Sequence, residues 1–482
     1  MPASDNLQAQ FQHQLDGAEL TRPMWMLWIL SAGLIALDGF DFFIIGVAMP
    51  FIQRDFGLSG GWIGAIATAA LAGALVGSLT LGPLTDKVGR QRMLVVDIGL
   101  FVVASAATAL AWNAWSLLIF RFLVGVGIGA DYPISVAYIT ENMPARLRGR
   151  MVIGAFSFQS VGALVGALVG WVTIWAFQQI APDLAVGYAW RWMLGVGIVF
   201  AVAVGGLRLL FLLESPSYYL AKGNYEAASK AASTLLERSV HFEAADVSSA
   251  IETTDTPPLG YLDLFSSTYI KQTALASVPW FFQDIATYGI GIFTPTIIAA
   301  LAFSQEQDLL RQEMASARGA AIVNVFLVMG FLLAVLLINR VGRISLQMLG
   351  FIGMAIGLGV LSFSGDRASG ALLFTGFIVF NLTMNLGPNS TTFLLSGEVF
   401  PPAIRASGAG LAGAIAKSGA VIGALGLPIL QESAGVAALL RLLAGFCLIA
   451  AAITYVLRQA ASENSREEIH EEAGKEAREA GA

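Results

Sequence analysis

The sequence predicts an all-α membrane protein: twelve transmembrane helices in two pseudo-symmetric six-helix bundles. Three observations carry that expectation. First, the 482 residues are 56% hydrophobic and only 12% charged, with a mean hydropathy of +0.71. A soluble chain carries about 25% charged residues, so a soluble enzyme or a nucleic-acid binder is excluded, and lipid is the surface's natural partner. Second, apolar runs near the roughly 20 residues needed to span a membrane recur twelve times. Third, charged motifs of the first half return in the second.

The runs begin near Met24, Gly61, Met93, Ala114, Met151, Tyr188, Ile270, Gly319, Ser345, Ala371, Ala403 and Ala434. Residues 1–22 form a polar tail without the charged, apolar and small-residue segments of a removable signal, so the first run is expected to be a permanent span. Residues 23–213 make the first bundle and 270–457 the second. The polar connector 214–269 divides them, and 458–482 is an acidic tail with seven acids against three bases from Glu463 onward.

Basic residues orient the spans. Lys87, Arg90 and Arg92 follow span two, and Arg146, Arg148 and Arg150 follow span four. Arg340 and Arg343 follow span eight, Arg405 span ten and Arg458 span twelve, while Trp112–Trp115 has no cation. The positive-inside bias places both termini and the central connector in the cytoplasm, with the chain in the plasma (cytoplasmic, or inner) membrane. The single cysteine, Cys447, excludes an intramolecular disulfide.

The repeat is concrete. Asp86-Lys87-Val88-Gly89-Arg90 after span two matches Asn339-Arg340-Val341-Gly342-Arg343 after span eight, an offset of 253 residues. Glu141-x-x-Pro144-x-x-x-Arg148 matches Glu398-x-x-Pro401-x-x-x-Arg405, an offset of 257. Parallel six-span repeats place a substrate site near the midplane and rock around it. The acids and bases where spans meet the cytoplasm (Asp86, Arg90, Glu141, Arg148, Glu214, Arg343, Glu398 and Arg405) are therefore gating candidates.

Ionisable groups at membrane depth mark function, because each is costly there. Asp38, Asp41, Arg121, Asp131, Asp284 and Lys417 are such groups. Asp38 and Asp284 each lie fourteen residues into their spans, about 21 Å at 1.5 Å per residue. Trp280, Asp284 and Tyr288 fall at i, i+4 and i+8, so an indole, a carboxyl and a phenol share one helical stripe. Gly39 sits between Asp38 and Asp41 where another backbone can approach. Arg121 is expected to form an interhelical pair. Gly125-x-Gly127-x-Gly129 is no nucleotide loop, since no strand precedes it; it is a small-residue packing face. The 257-residue offset brings Tyr132 into register with Asn389, putting a polar side chain at equivalent places in both halves.

These motifs resemble a known superfamily. Gly82-Pro-Leu-Thr-Asp86-Lys-Val-Gly-Arg90-Gln-Arg92 and Arg121-Phe-Leu-Val-Gly125-Val-Gly127 resemble signatures of the major facilitator superfamily, and Glu214-Ser-Pro216 and Trp190-Arg-Trp192 those of its sugar-porter-like branch. Asn339 stands where the family has an acid, which implies a weaker latch there. Asp131-Tyr132-Pro133, Phe158-Gln159, Trp280-Phe-Phe-Gln-Asp284, Tyr288, Gly387-Pro388-Asn389 and Ala416-Lys417-Ser-Gly resemble phosphate:proton symporters. That resemblance implies substrate contacts from Tyr132, Gln159, Trp280, Asp284, Tyr288 and Asn389. It implies proton coupling through Asp38, Asp41, Asp131, Asp284 and Lys417, with Lys417 pairing Asp131. Asp38-Gly-Phe-Asp41 equally resembles organic-acid:proton symporters.

The expected function is secondary transport of a small polar solute, with inorganic phosphate the leading candidate, coupled to protons by alternating access. A charged Asp284 would repel an anion, and protonation removes that repulsion, so proton and anion should load together. A sugar or polyol porter and an aromatic or organic-acid symporter remain open, as does a nutrient receptor outside the transporter class. No catalytic residues, cofactor, metal or nucleic-acid partner is expected: His13, His241 and His470 lie apart in polar segments. The chain is expected to act as a monomer.

Overall fold

In a computed structural model, which describes residues 3–88, 90–211, 213–242, 261–302, 306, 308–363, 370–400 and 404–460, all regular structure among those residues is helical. The helices are α1 (Ala3–Asp16), α2 (Arg22–Phe56), α3 (Gly60–Val88), α4 (Arg90–Ala109), α5 (Ala114–Asn142), α6 (Ala145–Ile180), α7 (Ala185–Leu210), α8 (Pro216–Ala221) and α9 (Tyr225–Leu236). They continue as α10 (Ile270–Gly291), α11 (Thr294–Ala302), α12 (Leu309–Val341), α13 (Arg343–Ser362), α14 (Gly370–Leu386), α15 (Pro388–Glu398), α16 (Arg405–Ala434) and α17 (Val436–Val456). Among the described residues nine helical stretches are long and apolar enough to cross a membrane, with shorter apolar helices at Val95–Ala109 and Ala114–Gly129. Helix α10 falls outside that set because it carries Gln272, Gln283, Asp284 and Thr287, all buried. Its polarity is turned inward.

The chain divides into two compact units, one of Met1–Pro257 with Glu306–Ala321 and the other of Pro258–Gln305 with Ile322–Ala482. In the first, α2 packs on α6 and α3 on α5. Close approach requires glycine at Gly39, where a Cβ would strike the Gln159 main chain, and at Gly162, where it would strike that of Ala36. In the second, α10 packs on α16 in the same way, Gly419 and Gly423 lying against the main chains of Phe281 and Ile285. Equivalent spans, the first with the fifth and the seventh with the eleventh, thus use the same device in each unit. Large apolar side chains such as Val199, Leu210, Leu336 and Val456 stand outward and exposed, the surface a lipid solvent calls for.

Local chemistry sets the helix ends. Asn113 and Ser116 form a reciprocal capping box that starts α5, and Gly57, at φ 62°, ends α2 in the left-handed conformation. Span ten is interrupted: α14 stops at Gly387, whose φ and ψ are −112° and −99°, and Pro388 begins α15. Span seven likewise breaks after Gly291 and resumes at Thr294. Span eight starts at Leu309, ten residues ahead of the sequence expectation, because Gln312, Glu313 and Ser316 extend the helix with buried or half-buried polar groups.

The polar N-terminal tail contains a docked helix. Leu7, Phe11 and Leu15 of α1, at i, i+4 and i+8, are at most 1% exposed, and Phe11 meets Phe242 edge to face at 6.4 Å. Gln8 donates to the Ser217 carbonyl at 3.4 Å. The Asp16 carboxylate accepts the Ala145 N–H at 2.8 Å, satisfying a free donor in the first turn of α6. At the other end of the unit, Arg191 pairs with Asp55 at 2.9 Å and donates to the Ala111 carbonyl at 2.9 Å. Trp190 donates to the same Asp55 at 3.0 Å. The Trp190-Arg191 motif therefore clamps the ends of α2 and α7 to the α4–α5 turn.

Candidate functional site

Helix α10 presents two polar stripes, and α16 supplies the cation between its groups. Trp280, Asp284 and Tyr288 are 6%, 2% and 3% exposed. Because Gly419 and Gly423 let the backbones of α10 and α16 touch, Lys417 reaches across with its ammonium buried. Its Nζ donates to Asp284 Oδ2 at 3.0 Å and to the Tyr288 hydroxyl at 3.1 Å. The same Nζ stands 4.6 Å from the Tyr288 ring centroid, within cation–π range. The Trp280 side chain donates to Asp284 as well, while its ring packs edge-on against Phe393 at 5.8 Å. One carboxylate thus receives two donors and one full positive charge in a buried setting, where breaking the pair would strand a charge.

The second stripe is Gln283 and Thr287, which the sequence reading passed over. Gln283 is fully buried, and its Nε2 donates to Thr287 Oγ1 at 2.7 Å and to Asn389 Oδ1 at 3.2 Å. Thr287 in turn faces the Met384 sulfur at 3.0 Å. Asn389, in the first turn of α15, donates to Asn385 Oδ1 at 2.8 Å, and Asn385 donates to the Leu327 carbonyl of α12 at 3.0 Å. Asn385 therefore braces Asn389. A third buried knot, Gln347 with Thr391 at 3.0 Å and Thr454 at 2.9 Å, ties α13, α15 and α17 beside the break in span ten.

The other candidates fall as follows. Asp41 is engaged by Arg121, whose Nη1 meets both carboxylate oxygens at 2.7 and 2.8 Å, both residues being buried. Arg121 is thus the interhelical partner its position suggested, joining α2 to α5. Asp38 is buried and lines a small cavity with Asp97, Leu37, Phe101 and Ile128; Asp97 had not been singled out. Gln159 is 8% exposed beside Gly39. The side chains of Asp131, Tyr132, Asp86, Arg90 and Arg405 lie outside the described ones. The expected pairing of Lys417 with Asp131 falls on a side chain outside the described ones; the partners described for Lys417 are Asp284 and Tyr288, one helix away in the same unit.

Of the gating candidates, Arg343 and Glu398 form a two-pronged pair at 2.6 and 2.8 Å between the α12–α13 turn and the end of α15. Glu214 is buried and accepts the Ser215 N–H at 3.2 Å. Close by, the Tyr138 hydroxyl donates to the Leu213 carbonyl and Arg208 lies 5.9 Å from the Tyr138 ring. Electrostatic coupling of Glu141 and Glu214 to Tyr138 draws these residues into one cluster. Arg148 donates to the Met143 carbonyl of its own turn at 3.5 Å. Among the described residues no group of His, Cys, Asp or Glu is arranged to hold a metal ion.

Comparison with known proteins places this geometry. The model of a family described as sugar (and other) transporter matches residues 26–473. The chain belongs to that family. It is a transporter, built to move small molecules across a membrane and not to catalyse a reaction, and its fold is the major facilitator fold. A relative in Oryza sativa subsp. japonica, named "Probable inorganic phosphate transporter 1-10", is 31% identical over 500 residues, covering 91% of this chain and 88% of that protein. The plastidic glucose transporter 4 of Arabidopsis thaliana is 29% identical over 424 residues, covering 86% and 74%. The xylose transporter XylE from E. coli, in a partially occluded inward-open conformation, matches with a TM-score of 0.71 at 18% identity, covering 90% of this chain and 98% of that one. At that identity the family members share the fold; the substrate is a separate matter.

Proposed function

We propose that the chain is a proton-coupled symporter of inorganic phosphate. The observation that supports this best is the buried Lys417, held between Asp284 and Tyr288. With Asp284 ionised, carboxylate and ammonium neutralise each other and leave nothing for an anion. A proton on Asp284 cancels its repulsion of an anion, adds an O–H donor and releases the charge of Lys417. A monoanion then satisfies that charge, so proton and phosphate enter together and the loaded site stays electroneutral. Deprotonation restores the Lys417–Asp284 pair and expels the anion. The reset needs no substrate.

In this reading Tyr132, Gln159, Trp280, Tyr288 and Asn389 complete the phosphate contacts, and Asp38, Asp41 and Asp131 serve the proton. The gating residues make and break ion pairs as the two halves, 23–213 and 270–457, alternate. The protein works as a monomer in the plasma or inner membrane with both termini in the cytoplasm. A neutral sugar would not call for a buried cation in the site, and the phosphate-transporter names among the relatives favour the same side. The test is uptake of [32P]phosphate into proteoliposomes under an inward proton gradient, with xylose and an aromatic acid as competitors. Gradient-stimulated phosphate uptake that neither competitor reduces is expected. Uptake of xylose or the aromatic acid in place of phosphate overturns the proposal.

A further inference from the structure

The polar chain Gln283–Asn389–Asn385–Leu327 has a direction, and one main-chain carbonyl dictates it. The Leu327 carbonyl can only accept, so Asn385 must turn its NH2 toward it. Asn385 then offers its oxygen to Asn389, whose NH2 must face it in turn. The oxygen of Asn389 consequently faces Gln283, which has to present its own NH2. The two ends of each amide, which look alike by shape alone, are thereby distinguished by chemistry.

Gln283 supports this direction against its own interest. Both of its N–H groups are used, toward Thr287 and Asn389, while its Oε1 is buried without a hydrogen-bond partner. Turning the amide over would let the Thr287 hydroxyl donate to that oxygen. The same turn would set Gln283 Oε1 against Asn389 Oδ1, two acceptors facing each other. An unsatisfied buried polar atom calls for an explanation, and the demand of Asn389 supplies one.

We propose that Gln283 and Asn385 are positioning residues that lock the polarity of the Asn389 amide, so that its remaining N–H and remaining lone pair reach the substrate from fixed directions. This rests on the reading of Asn389 as a substrate contact. Neither positioning residue touches substrate; both act through Asn389. Binding is affected before turnover, because a misoriented amide weakens the loaded state while the gates stay intact.

Amide-to-carboxyl exchange separates positioning from mere packing. Asn385→Leu removes the acceptor for Asn389, whereas Asn385→Asp keeps one in either protonation state. Uptake of [32P]phosphate into proteoliposomes is measured at a constant proton gradient, with [14C]xylose replacing it if the wild type leaves phosphate outside. Gln283→Met and Asn385→Leu should each raise KM about five- to tenfold, the worth of one hydrogen bond, with a smaller fall in maximal rate. Asn385→Asp should stay within about twofold of wild type by the same reckoning. Gln283→Met should add nothing in an Asn389→Ala background, since its effect passes through that side chain.

Unchanged KM in Gln283→Met, an additive effect on Asn389→Ala, or equal losses in Asn385→Asp and Asn385→Leu overturns the proposal. Should Gln283→Met fail to fold, the two Asn385 variants decide. Unchanged KM in Asn389→Ala, or a wild type that takes up neither probe, also overturns it. A wild type that takes up xylose and not phosphate sinks the phosphate reading alone, and the relay is then judged on the xylose data.

Discussion

Replacing Lys417 by methionine would leave Asp284 buried opposite no cation. Asp284 is 2% exposed, and the ammonium at 3.0 Å is its charged partner in the pair. Removing one partner of a buried pair costs about 3–5 kcal/mol, because the remaining charge is uncompensated. For a folding body of roughly 150–250 residues this converts to a fall in Tm of roughly 6–20 °C. The double variant Asp284→Leu/Lys417→Met removes both charges and should recover most of the loss, since apolar groups of similar volume are tolerated where ion pairs were. The protein carries its own reporter: Cys447 is the sole cysteine and is fully buried in α17. A thiol-reactive fluorophore in detergent therefore lights up as the second unit opens. A single variant that melts within a degree or two of wild type, or a double variant no better than the single, would refute the reasoning.

Other perturbations read other contacts. Gly423→Leu pushes side-chain atoms into the Ile285 main chain and should destabilise the α10–α16 seam by about 1–3 kcal/mol or more; the same thiol assay measures it, and an unchanged melt would deny the close packing. Asp16→Ala removes the acceptor for the Ala145 N–H and should cost about 1 kcal/mol, the usual worth of a lost cap. Limited proteolysis of α1 should quicken in that variant, and equal cleavage rates would count against docking through Asp16. Arg343→Ala breaks a pair whose side chains are 50% and 35% exposed, so stability should change by less than about 1 kcal/mol. A large drop in melting temperature there would mean the pair is a structural strut.

Much of the scaffold was legible because lipid imposes a coarse, long-window constraint: twenty apolar residues in a row leave little choice of structure. What such a window hides are features shorter than a span. The Leu7, Phe11 and Leu15 stripe of α1 sits among glutamines and aspartates, so its average is polar although its period is helical. The break in span ten was written in Gly387-Pro388, but an apolar count runs straight through it. At the site, the stripe of Trp280, Asp284 and Tyr288 could be read from i, i+4 spacing within one helix. The partner of Lys417 could not, because depth along α16 places the ammonium at the midplane without saying which neighbouring helix it faces. Only the glycines at 419 and 423, read as a packing face, hint at α10. The amide relay joins residues from 283 to 389 through a main-chain carbonyl, a group the sequence carries at every position and therefore never marks. Gln283 and Thr287, four apart on a buried helix, were the available signal.

The central claim is that a proton on Asp284 frees Lys417 for the anion. Asp284→Asn mimics the protonated state permanently, keeping the shape and removing the titration. Two modes of transport should therefore part company: exchange of labelled for unlabelled phosphate across proteoliposomes without any gradient, and net accumulation under an inward proton gradient. The expected result is that Asp284→Asn retains exchange and loses accumulation. Accumulation driven by the gradient to wild-type levels in the variant would contradict it.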